Sequence, residues 1–92
     1  MTALAAAGYR LERGKICGVG GLRMLHLIFS SGTRRYSLFI SPHFGPVETM
    51  RTTAFGAGRI AAFETGHYRG LVVSERPAVE CAELAHAAQK RL

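Results

Sequence analysis

Hydrophobic and polar residues alternate along most of this chain, and the pattern changes to a helical stripe only near the end. Tyr9-Arg10-Leu11-Glu12 alternates, Arg13-Gly14 predicts a turn, and Lys15-Ile16-Cys17 runs back from it. Gly18-Val19-Gly20-Gly21 predicts a break. Residues 22–30 form the most hydrophobic run. Leu25, Leu27 and Phe29 point one way, and Leu22, Met24, His26 and Ile28 the other. A strand apolar on both sides is expected to be central and covered, at least in part, on both faces. Ser31-Gly32-Thr33 turns the chain into residues 34–41, where Tyr36, Leu38 and Ile40 oppose Arg35, Ser37, Phe39 and Ser41. That is a half-buried strand.

Pro42-His43-Phe44-Gly45-Pro46 must leave the sheet, because prolines cannot continue a hydrogen-bonded ladder. Residues 47–53 fit either a short helical turn or an edge segment. Residues 59–64 and 68–73 predict a hairpin around Thr65-Gly66, with Leu71-Val72-Val73 strongly β-prone. The last element reads as a helix. Ser74 is the candidate N-cap, Pro77 falls in the first turn, and Glu75, Glu80 and Glu83 precede the basic end Lys90-Arg91. Pro77, Cys81, Leu84, Ala85, Ala88 and Leu92 share one face. The fold class expected is α+β: about five mostly antiparallel strands with one C-terminal helix packed on them. No internal repeat is expected. A single domain spans residues 1–92, with 1–7 read as disordered or as the remnant of a linker.

Composition narrows the functional classes. Ninety-two residues support one modest core, burying about 60–65% of the unfolded chain's surface. Ten Arg and two Lys face six Glu and no Asp, for a net charge of +6. Residues 1–74 carry all of that excess, and residues 75–92 are neutral. Such a charge attracts nucleic acid, an anionic membrane surface or an acidic protein. The cations are scattered, however, with Arg34-Arg35 the only adjacent pair before the C-terminal Lys90-Arg91. Arg34, Arg35, Arg59 and Arg69 are the candidate anion or partner surface. No apolar run reaches the ~18–20 residues of a membrane span.

No catalytic constellation emerges. Without Asp a Ser-His-Asp triad cannot be built, and neither a nucleophile elbow nor a cysteine-protease signature is present. Cys17-Gly18-Val19-Gly20-Gly21 lacks the third glycine of a dinucleotide fingerprint, and Phe55-Gly56-Ala57-Gly58 lacks the Lys-Ser/Thr of a phosphate loop. No cofactor is expected. Cys17, Met24, His26, His43, Met50 and His67 make a soft-ligand inventory, although their spacing matches no metal framework. Cys17 and His26 are its candidates, and a small metal- or thiol-based binding module is the alternative reading. His26 reads first as a core histidine, and His43 and His67 as exposed turn residues. Cys17 and Cys81 belong to no CxxC pair; they are read as separate buried residues, with one disulfide between them as the alternative in an oxidising compartment. Tyr36, Tyr68, Phe39 and Phe63 among Arg35, Arg59 and Arg69 raise single-stranded nucleic acid as a further alternative. The glycine-flanked signature of an RNA-recognition sheet is missing, which disfavours it.

One family resemblance stands on specific residues. Gly8-Tyr9-Arg10-Leu11, then Gly14-Lys15-Ile16, then residues 25–29 and 35–40 follow the order of a Gly-aromatic-x-Leu segment, a short basic-aliphatic strand and a strand pair. Gly58-Arg59-Ile60-Ala61-Ala62-Phe63, Gly66-His67-Tyr68-Arg69-Gly70-Leu71-Val72-Val73 and Glu83-Leu84-Ala85 continue the match. In this the chain resembles the C-terminal domain of membrane-bound zinc-type anti-sigma factors over residues 8–92. The family's His-x-x-x-Cys-x-x-Cys motif and transmembrane helix are absent from these residues, so its sigma-inhibiting activity does not carry over. The resemblance implies a non-enzymatic regulatory or sensory domain that binds a protein or small ligand. It further implies a protein partner, with homo-oligomerisation as an option, and a place on the extracytoplasmic face of a bacterial inner membrane. Without the resemblance, the cytoplasm is expected.

Overall fold

The computed structural model describes residues 6, 8–19, 21–43 and 45–92. The expectation for residues 1–7 therefore falls mostly outside the described residues. Six strands, β1 (Arg10–Val19), β2 (Leu22–Ser31), β3 (Arg34–Pro42), β4 (Arg51–Phe55), β5 (Gly58–Glu64) and β6 (Tyr68–Ser74), precede helix α1 (Ala78–Gln89). They form one antiparallel sheet in the order β1-β2-β3-β6-β5-β4. The fold is the expected α+β arrangement, with six strands where the sequence pattern suggested about five.

The first strand departs from the sequence reading. No turn forms at Arg13-Gly14; residues 10–19 run straight through, and the ladder absorbs one extra residue as a bulge between Leu11 and Arg13. Gly14 is needed for space, since a Cβ there would stand 2.9 Å from Leu27 Cδ2 across the ladder. The real turn lies further on, with Gly21 at φ 83°. Residues 51–55, at the end of the ambiguous stretch, become the short edge strand β4.

Two three-stranded meanders, β1-β2-β3 and β4-β5-β6, meet along the β3–β6 ladder. Leu27 pairs with Leu38 in the first. Ala61 pairs with Val72 in the second, each partner 34 positions later. Leu38 and Val72 themselves pair across the central ladder, so a pseudo-two-fold axis passes between them. Phe29, Gly32 and Arg35 correspond to Phe63, Gly66 and Arg69. The duplication is one of topology and register, and the sequence shows no repeat alongside it: too few side chains match for it to be seen as sequence periodicity.

The core occupies one face. Leu27, Phe29, Tyr36, Leu38, Ile40, Ala61, Phe63 and Val72 point into it from the sheet, and Cys81, Leu84, Ala85 and Ala88 from α1. The predicted helical stripe is confirmed at those four positions, with Leu92 packed beside them. Ser74 does not cap the helix. Its hydroxyl accepts the Arg76 N–H at 3.1 Å, while Pro77 occupies the N-cap position without a side-chain cap. Arg76 instead grips Glu80 of the first turn through two bonds of 2.6 and 2.9 Å. α1 covers β4, β5 and β6. Over β3 the cover comes from the segment ahead of β1. Tyr9 meets Tyr36 edge to face at 4.9 Å, and the Ala6 N–H donates to the Tyr36 hydroxyl. Among the described residues no helix is long and apolar enough to cross a membrane.

Candidate docking face

Among the described residues, the sheet's other face carries no helix. Because side chains alternate along each strand, the ladder registers define its rows. One row runs Thr53–Ile60–Val73–Ser37–Ile28–Arg13. The next runs Arg51–Ala62–Leu71–Phe39–His26–Lys15. The middle four positions of each row are only partly exposed, and the outer ones are open to solvent. Residues 22–30 are thus covered on one side alone, which corrects the expectation of cover on both. Their apolar second face is solvent-facing.

At the centre, His26 stacks on Phe39 with ring centroids 4.1 Å apart and planes 13° from parallel. His26 Nε2 is buried and has no hydrogen-bond partner among the described residues. Burial, and secondarily the charge of Lys15, push its pKa below the usual histidine value. His26 is therefore an uncharged aromatic plate in the row, distinct from the hydrogen-bonded core residue expected.

The face is basic along β1. Arg13 and Lys15 are in no ion pair among the described residues, whereas Arg35 donates to Glu12 at 2.9 Å and Arg51 to Glu48 at 3.3 Å. The acid in the next row, Glu64, is already saturated. Its Oε2 receives Arg69 Nε at 2.9 Å and the Arg69 terminal nitrogen at 2.7 Å, and its Oε1 receives the Glu48 N–H at 3.0 Å. His43 Nδ1 stands 3.5 Å from the same carboxylate, and its Nε2–H donates to the Pro46 carbonyl at 3.2 Å. The Glu48 amide and then Arg69 hold the Glu64 carboxyl below its usual range. This cluster fastens the β3–β4 connection to the sheet. His43, with 11% of its side chain exposed, is not the solvent-exposed turn residue expected; His67 is exposed.

The four candidate arginines do not make one surface. Arg35 and Arg69 project on the helix-free side, each bound to a glutamate. Arg34 and Arg59 alternate onto the helix side, following Tyr36 and Ser74 respectively. The aromatics considered for base stacking are likewise divided, since Tyr36 and Phe63 are buried in the core and only Phe39 lies in the open rows. Cys17 and Cys81 are free, the first on the open face opposite Met24 and the second sealed beneath α1. A disulfide between them is thereby corrected. Burial pushes the Cys81 thiol up, away from thiolate reactivity. Cys17 and His26 share a face, but among the described residues no three His, Cys or acidic side chains converge on a metal-sized space.

Sequence reasoning missed Ile60, Leu71 and Val73 as surface. The available signal was Leu71-Val72-Val73, apolar on both alternating faces in a sequence that predicts a single helix to cover them. The Glu64 cluster had no local signal, since its partners lie five to more than twenty positions away. Comparison of the chain with protein-family models, with curated proteins and with solved structures found no match.

Proposed function

We propose that this domain is a non-enzymatic regulatory module that binds an acidic, partly apolar polypeptide on its helix-free face. The row Arg51–Ala62–Leu71–Phe39–His26–Lys15 carries the reading. Four apolar or uncharged groups are flanked by cations, and Lys15 is in no ion pair among the described residues. An apolar centre with a charged margin is the usual anatomy of a protein-binding patch. The basic margin opposes a second copy of the same face and attracts carboxylates. The resemblance to the C-terminal part of anti-sigma regulators supports a regulatory setting without turnover.

The test is site-specific photo-crosslinking inside the source cells. A photoreactive residue replacing Val73 is expected to capture one polypeptide through an acidic segment. The same residue at Glu83, on the outside of α1, captures nothing comparable, and Lys15→Glu abolishes capture from position 73. Capture of a second copy of this chain or of nucleic acid, or equal yields from both positions, would overturn the proposal.

A further inference from the structure

Among the described residues, cover on the helix side is incomplete. α1 lies over the second meander, and Ala6, Tyr9 and Leu11 pack against the core near Tyr36. Ile16, Leu25 and Ile40 form a continuous cross-strand row, buried at Ile40 and open to solvent at Ile16. Ile16 is 69% exposed and Tyr68 40%, high values for large apolar side chains on the face that carries the core. These side chains, with Pro42, line a groove of about 340 Å³, within the range of small-ligand sites.

The walls of the groove do not depend on a partner. Tyr68 is held by its backbone: its N–H donates to Thr65 Oγ1 at 3.0 Å, and its carbonyl accepts the Thr65 N–H at 2.8 Å. The His43 N–H in turn donates to the His67 carbonyl at 2.9 Å, tying the next turn to Pro42. Leu25 and Ile40 belong to the central ladders. Ile16 is fixed opposite Leu25.

One charge borders this apolar space. Arg23 lies two positions from Leu25 on the same face of β2, lines the groove, and is in no ion pair among the described residues. Among the described residues no acid lines the groove. An apolar trough with a single free guanidinium at its end is complementary to a molecule with a hydrocarbon body and an anionic head, because the apolar part is driven in by burial and the carboxylate is oriented by a charge-assisted bond. We infer that the groove is a binding site for a single amphiphilic carboxylate, a small-molecule input on the face opposite the polypeptide site. The same chemistry would not be selective for a cationic amphiphile, which Arg23 repels.

The probe is sodium decanoate, followed by calorimetry and by backbone and methyl NMR shifts of the whole chain at concentrations below micelle formation. Saturable binding of one decanoate is expected, with shifts centred on Ile16, Leu25, Ile40 and Tyr68. Arg23→Gln should weaken it about tenfold, the value of one charge-assisted bond. Ile16→Glu should abolish it, and this exposed position keeps the fold intact, as circular dichroism can verify. Phe39→Ser, on the opposite face, should leave decanoate binding unchanged while impairing the polypeptide site, so the two proposals fail separately. Absence of saturable binding, equal binding of decyltrimethylammonium, no change with Arg23→Gln, or shifts centred elsewhere would each overturn the inference.

Discussion

The two meanders share a topology and a register, yet they are stabilised differently. The first has strands of ten, ten and nine residues, the second of five, seven and seven. In the first, Phe29 stacks on Tyr36 at 5.1 Å between ring centroids, and bulky strand residues fill much of the core themselves. At the equivalent positions of the second, Phe63 lies over Gly70. Small residues such as Ala61 and Gly70 lower the surface of that meander, and α1 comes down to fill the space. One pattern of strands thus admits two ways of closing a core. The half without a helix is left with the apolar groove on one side, while the open rows of the other side cross both halves.

The position shared by Tyr36 and Gly70 is where that comparison is most easily broken. Tyr36 is 2% exposed and contacts Phe29, Tyr9 and the Ala6 amide. Tyr36→Ala should cost about 4 kcal/mol, read from the urea midpoint, because removing a buried aromatic leaves a cavity the stiff ladders cannot close. That is a large share of the stability expected for a domain of this size. A loss below about 1 kcal/mol would mean the first meander does not depend on its own side chains for closure.

The opposite change at Gly70 should also destabilise. Replacing glycine by alanine in a strand ordinarily helps the backbone, but a Cβ here would enter the Phe63 ring. Gly70→Ala is therefore expected to cost about 2 kcal/mol by overpacking, and Phe63→Leu in the same chain should return part of it. Additive losses in the double variant would show that the ring and the glycine are not in fact coupled.

How far these features could be read in advance varies with distance along the chain. The buried faces of residues 34–41 and of α1 followed directly from local periodicity, and the hairpin at Thr65-Gly66 from turn chemistry. Gly14 misled, because a glycine needed for room against Leu27 looks in sequence like one needed for a turn. Ser74 misled for a related reason: a good capping residue was used three positions early to hold the Arg76 amide. The open face was half legible, since Ser37 and Phe39 were placed outward while His26 and Ile28 were expected to be covered. What decided the matter was the number of helices and where the single one lands, a tertiary choice with no local signature.

The halves differ again in how they hold a paired arginine. Arg69 is bound by Glu64, which is 10% exposed; the equivalent of Glu64 in the first meander is Ser30, so Arg35 reaches to Glu12 instead. The Glu64 carboxyl is lowered from its ordinary value of 4.5, chiefly by the Glu48 amide and then by Arg69 and His43. Its contribution is complete above the unfolded pKa. As pH falls below about 4.5 the unfolded chain binds the proton first, and stability is lost until the folded carboxyl protonates too. Glu64→Gln should lower the urea midpoint at pH 7 and flatten its decline between about pH 5 and 3. Wild type and variant declining in parallel would place the acid sensitivity in another group.

The smallest effect is expected at the counterpart pair. Glu12 sits at the β1 bulge with 39% of its side chain exposed, and Arg35 with 65%. Both are hydrated, and salt screens what attraction remains. Glu12→Gln should change stability by less than about 0.5 kcal/mol. Its consequence lies on the surface instead: it frees Arg35, which joins Arg10, Arg13 and Lys15 as a fourth cation of the helix-free face that is in no ion pair among the described residues. Polypeptide capture at position 73 should then strengthen, and more so at low salt. Weakened capture with unchanged stability would mean that Glu12, and not the basic margin, meets the partner.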